Sequence, residues 1–68
     1  MPQVAKVIEL VGASEEGWED AAQVAVKTAA KTLHGITGVE VTSMTAKVEN
    51  GKIVSYKSTV KIAFAVAV

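Results

Sequence analysis

Ser14, His34, the carboxylates Glu15, Glu16, Glu19 and Asp20, and the lysines Lys57 and Lys61 are the side chains whose chemistry could matter. A nucleophilic Ser14 would need a base held beside it, and none is near in sequence; it reads instead as the N-cap of a helix. His34 is the single histidine. It sits where that helix should end, with no carboxylate or serine close by to orient it, so the dipole makes C-terminal capping its expected role. Without a nucleophile–base pair or metal-ligand spacing the requirements of catalysis are not met, and no enzyme is expected. Glu15, Glu16, Glu19 and Asp20 lie near one face if the helix starts at Ser14. Hard cations favour such oxygens, but no EF-hand pattern or carbonyl-rich loop accompanies them. A solvated first helical turn is the plainer reading; a calcium-type site would need copies gathered by symmetry.

The strands that would position Lys57 and Lys61 run from about Gly38 to Val68, folded on Glu49-Asn50-Gly51-Lys52. Asn-Gly is the strongest short hairpin signal, because a type I′ turn needs positive φ at both central residues. The register then follows: Val48 faces Ile53, Met44 faces Lys57, Thr42 faces Thr59, Val41 faces Val60, Glu40 faces Lys61 and Val39 faces Ile62. One face collects Val39, Val41, Val60, Ile62, Phe64 and Val66, with Tyr56 nearer the turn. The other carries Gly38, Glu40, Thr42, Met44, Lys57, Thr59 and Lys61, with Glu40 and Lys61 an opposite-charge pair. The apolar face must be covered within the chain. The polar one is where a ligand would be sought, with Gly38, Met44 and Lys57 around it. A cation beside a small residue and a thioether suits an anionic or phosphate-bearing ligand; a solvated ion-pair network between subunits is the competing reading.

Val4 to Val11 is rich in Val, Ile and Leu and stops at Gly12, which predicts a first strand. Its alternation is poor, with Lys6, Ile8 and Leu10 on one side and Val7, Glu9 and Val11 on the other, so its register stays open. From Ser14 a helix is expected to run to His34, with Gly35 as its left-handed cap. Trp18, Ala21, Ala22, Ala25, Ala29, Thr32 and Leu33 recur along one stripe. An Ala-rich stripe lets a helix lie close on a sheet, and Trp18 should point into the subunit or an interface. The element order is β-α-β-β, an α+β fold. A right-handed crossover leaves a slot for the last strand, giving an antiparallel three-stranded sheet in the order 1-3-2 with the helix on the Val39/Val60/Ile62 face.

With 68 residues, residues 1–68 form one domain. Such a chain buries only about 60% of its unfolded surface. There is no cysteine, so disulfides and Cys-based zinc sites are excluded, which fits a reducing cytoplasm. Many of the hydrophobic residues are Ala and Val, so the core is thin, and self-association is the expected remedy. Ile62 to Val68 is apolar on both faces, which places Ala63, Ala65 and Ala67 against another subunit. Acidic and basic residues cancel at seven each without a basic cluster, so nucleic acid is not an expected partner. No basic and apolar leader opens the chain, and the longest apolar run is far short of a membrane span.

Three stretches resemble the dodecins, small β-α-β-β proteins that assemble as hollow dodecamers. They are Lys6 to Ser14, the helix with Ala at 21, 22, 25 and 29, and the hairpin from Val39-Glu40-Val41 through Asn50-Gly51-Lys52 to Tyr56 and Val60-Lys61-Ile62-Ala63-Phe64. The resemblance implies a cytoplasmic homododecamer that stores or sequesters a small molecule. Typical members stack a flavin on a Trp just before the second strand's Glu-Val, and bond it with a Gln after the third strand's Tyr. Those positions are Gly38 and Lys57 in this sequence. Gly38 has no π-face, and Lys57 donates without accepting. FMN or riboflavin binding is therefore expected to be weak or lost. Two alternatives stay open: a structural or calcium-binding assembly without organic ligand, and a flavin store using other contact residues.

Overall fold

The computed structural model describes residues 4–66. The elements are β1 (Val4–Ser14), α1 (Trp18–Ala30), β2 (Ile36–Glu49) and β3 (Lys52–Val66). They form one antiparallel sheet in the order β1-β3-β2. The β-α-β-β order, the strand order and the helix on one face are as the sequence implies. Ala67 and Val68, expected to prolong the last strand, lie outside the described residues.

The hairpin turn is as expected: Asn50 has φ 52° and Gly51 φ 74°. Val48 faces Ile53, Glu40 faces Lys61, Val41 faces Val60 and Val39 faces Ile62. Between these two stretches the register slips by one. Irregularities between Val41 and Ser43 and between Lys47 and Val48 place one extra residue in β2 and then one in β3. The two bulges cancel, so the count holds again from Val41 to Gly38, until a third irregularity between Ile36 and Gly38 adds another residue to β2. Thr42 lies at the first irregularity, its hydroxyl donating to the Thr59 carbonyl at 3.3 Å. Met44 therefore pairs with Ser58, and Lys57 with Thr45. The expected pairings of Met44 with Lys57 and Thr42 with Thr59 are corrected on this ground.

The helix is shorter than the periodicity implies. Ser14 closes β1 rather than capping α1: its hydroxyl accepts from the Glu16 amide at 2.9 Å and donates to Asp20 at 2.6 Å. The helix starts at Trp18 after an extended Gly17, and the first helical bond runs from the Ala21 amide to the Gly17 carbonyl. Glu15 and Glu16 thus precede the helix, and only Glu19 and Asp20 occupy its first turn. At the other end the amides of Lys31 and Thr32 bond three residues back, tightening the chain into a turn. Thr32 and His34 are exposed beyond the helix, so neither the Thr32 stripe position nor the His34 cap holds. Gly35 does have positive φ, 75°, but as the entry to β2, where its carbonyl accepts from the Ala65 amide.

Burial follows helix coverage. Ala25 and Ala29 pack on Val60 and Ile62, and Ala21 is buried beside them in the helix, all between 0% and 5% exposed. Ile8, Leu10, Ala22, Val26, Leu33 and Ile36 are partly buried around them. Close approach is built in at Gly12, where a Cβ would lie 2.0 Å from the Ala21 carbonyl oxygen. Helix backbone thus rests directly on β1. Val39 shares the helix-side face but stays 49% exposed, because α1 lies over β1 and β3 and reaches β2 mainly through its first turn. The radius of gyration is 14.1 Å, against about 11 Å for a compact chain of this length. The long axis of 54 Å is that of a fifteen-residue strand.

Candidate functional site

The outer face of the sheet, away from α1, is built from β-alternation. Ile62, Val60 and Ser58 are fully buried toward the helix, so Ala63, Lys61, Thr59 and Lys57 point the other way. Three cross-strand rows matter. Val7, Ala63 and Gly38 form one; Glu9, Lys61 and Glu40 form the next; Ala13, Lys57 and Thr45 form a third further along. Val7, Ala63 and Gly38 of the first row and Lys61 and Glu40 of the second, with Val39, line a shallow open depression. Its floor is apolar and small: Gly38 has nothing within 4 Å of where a Cβ would stand, and Val7 is 55% exposed. Its edge is charged, with Lys61 held in register between two carboxylates. Within the isolated chain that row does not close, and the ion pair found among the described residues is Lys47–Glu49 at 3.3 Å.

The three residues expected to surround a ligand are thus separated. Gly38 lines the outer depression. Lys57 shares that face but lies six residues down β3 from Ala63, about 20 Å at strand spacing. It is exposed and its row holds no carboxylate. Met44 is on the opposite face, because the bulge turns it toward the helix side. There it joins Trp18, Glu19, Ala22, Val41 and Ser58 around an almost wholly apolar groove beside the start of α1. Trp18 does point into the subunit. Its indole N–H donates to the Thr45 carbonyl at 2.8 Å, and its ring meets Tyr56 edge-on at 4.7 Å.

Three residues escaped the sequence reading. Ser58 is completely buried and donates to the Trp18 carbonyl at 2.8 Å; its place between Tyr56 and Val60 on the apolar face was the available signal. Val7 and Glu9 reach the site only through the pairing of β1 with β3, which poor alternation left open. The acidic quartet does not assemble: Glu15 and Glu16 leave the helix, and Asp20 is engaged by Ser14. Among the described residues no group of three or more potential ligands is placed to hold a metal ion. No described helix is long and apolar enough to cross a membrane.

The dodecin family model matches residues 4–67. The chain belongs to the dodecin family. A dodecin of Thermus thermophilus is 36% identical over 64 residues, spanning 94% of this chain and 93% of the relative. A Thermus thermophilus protein of solved structure superposes with a TM-score of 0.93 at 33% identity, each chain covered to 98%. The dodecin of Streptomyces coelicolor gives 0.91 at 29% identity, over 97% of this chain and 94% of the other. Dodecin membership accounts for the strand order and for the helix lying on one face only.

Proposed function

We propose that this dodecin-family chain forms a hollow homododecamer in the cytoplasm, binding and sequestering a small molecule between subunits at the outer sheet face around Gly38. The carrying observation is the one-sided depression of Val7, Gly38 and Ala63 beside the Glu9–Lys61–Glu40 row. A single sheet face supplies a floor and no roof, so only a second copy encloses it. The separation of Gly38 and Lys57 supports the same reading, since a ligand meeting both positions takes them from different copies. Lys57, with no carboxylate in its row, favours an anionic group on that ligand. The absence of cysteine fits a reducing compartment.

Flavin is held weakly in this reading, because Gly38 removes the stacking surface. Light scattering tests the assembly and should return a mass many times the 7.1 kDa of one chain. Fluorescence titration with FMN and riboflavin should show weak or no quenching. Gly38→Trp should tighten FMN about tenfold, the upper end of what ring stacking supplies. Tight flavin binding by the unaltered chain would sink the weak-flavin reading, and an unchanged Gly38→Trp variant would remove Gly38 from the site. Calorimetric titration with nucleotides and calcium separates an anion-binding shell from a cation-binding one.

A further inference from the structure

We propose that the outer sheet face carries a phosphate-binding patch, which the two cancelling bulges assemble from Ser43, Thr45 and Lys47 of β2 and Ser55, Lys57 and Thr59 of β3. Between Thr42 and Val54 the two strands run one residue out of step with the count from the turn. In the counted register Thr42, Met44 and Ala46 would face outward beside Thr59, Lys57 and Ser55. The bulges turn that stretch of β2 over, so that Ser43 pairs with Thr59, Thr45 with Lys57 and Lys47 with Ser55. A thioether and a methyl give way on this face to a second hydroxyl and an ammonium. Bulges recur where a strand must re-aim its side chains at a site.

The chemistry is that of an anion receptor. Directly paired residues hold their Cβ atoms about 5 Å apart, so one phosphoryl group can reach the Lys57 ammonium and the Thr45 hydroxyl together. The ammonium brings three donors and each hydroxyl one, against three strong acceptor oxygens. Lys57 has no carboxylate in its own row, in the Val11–Thr59–Ser43 row or in the Lys47–Ser55 row. Lys47 is engaged by Glu49 at 3.3 Å, which leaves Lys57 to carry the charge of the site. Side-chain hydrogen bonds among the described residues use the hydroxyls of Ser14, Thr42 and Ser58, whereas those of Ser43, Thr45, Ser55 and Thr59 are not spent within the chain. The indole of Trp18 ties the displaced stretch to α1 through the Thr45 carbonyl at 2.8 Å. The Glu9–Lys61–Glu40 row, about 13 Å further along β3, sets two carboxylates against one lysine and repels the same anion. The patch deepens the role given to Lys57 and rests on that part of the functional reading alone; the depression around Gly38 is not needed for it.

Titration calorimetry with pyrophosphate, ADP and adenosine tests the patch. Pyrophosphate and ADP should bind and adenosine should not. ADP tighter than pyrophosphate would assign the phosphate to an organic ligand, and equal affinities would assign it to a free phosphate. Lys57→Gln should weaken pyrophosphate about tenfold and Thr45→Val about threefold. Met44→Leu should leave it unchanged, because the bulge sends that side chain to the other face, as should Lys31→Gln at the exposed end of the helix. Absence of pyrophosphate binding overturns the proposal. So does a loss with Met44→Leu as large as with Thr45→Val, which would mean the counted register. A loss with Lys31→Gln as large as with Lys57→Gln would reduce the effect to net charge and overturn it equally. Riboflavin carries no phosphate and reads the Gly38 depression separately, so failure of one site is told apart from failure of the other.

Discussion

The middle of β3 and its turn end are made of similar residues and have opposite fates. Toward its C-terminal end Ser58, Val60 and Ile62 are fully buried; toward the turn Ile53 and Val54 remain 49% and 36% exposed. The difference is one of length. A thirteen-residue helix spans about 20 Å and a fifteen-residue strand about 50 Å, so α1 can cover less than half of what the strands offer. Hydrophobicity thus fails to predict burial along this strand, because coverage runs out first. One half of the molecule has a core of its own, and the other half has apolar side chains that the single chain leaves uncovered.

The contrast can be broken most severely at Gly12. Gly12→Val drives side-chain atoms into the Ala21 carbonyl and should cost more than about 3 kcal/mol, lifting α1 off the sheet. Circular dichroism would show lost helix, whereas Gly17→Ala, with open space around it, should change stability by less than about 0.5 kcal/mol. Truncating one isoleucine at each end sharpens the comparison. Ile62→Ala should cost about 2–5 kcal/mol at any protein concentration. Ile53→Ala should cost under about 1 kcal/mol in the dissociated chain and approach the Ile62→Ala value once assembled. Urea unfolding above and below the dissociation concentration measures both, and equal costs for Ile53→Ala in the two states would erase the distinction.

A smaller effect is expected on the outer face. Ala65 pairs with Ala5 and is exposed in the single chain. Ala65→Glu should leave its fold intact and reduce the mass seen by light scattering, because burying an unpaired carboxylate between subunits is unfavourable. Retention of the full mass would remove this face from the assembly. A modest effect is expected of Ser58→Ala, which deletes the bond to the Trp18 carbonyl and should lower stability by about 1–2 kcal/mol. A neutral result there would show that α1 is anchored by the alanine stripe alone.

Much of this architecture is legible in the residues. Asn50-Gly51 forces the turn, and alternation on either side of it assigns Val60 and Ile62 to the helix face. Counting from the turn fails between residues 42 and 54, where an extra residue in β2 is cancelled by one in β3, and again beyond Gly38, where β2 takes another extra residue. Backbone pattern alone does not reveal the cancelling pair, since Gly38 to Val41 remain in step. That is why a simple count pairs Met44 with Lys57, whereas Met44 lies opposite Ser58. The helix start was misread for a different reason: Ser14 has the chemistry of a cap but spends its hydroxyl on Glu16 and Asp20. Of the candidate site, Gly38 was legible through the resemblance. Val7 and Glu9 were not, because they depend on a pairing that only three-dimensional closure decides.

The outermost rung of the sheet joins Val4 to Val66. During synthesis the first strand must therefore wait, unpaired, until β3 has left the ribosome. Its Val, Ile and Leu side chains are exposed to neighbouring nascent chains throughout that interval. Slowing translation between the codons for β1 and those for β3 should thus lower the soluble yield more than slowing it before β1.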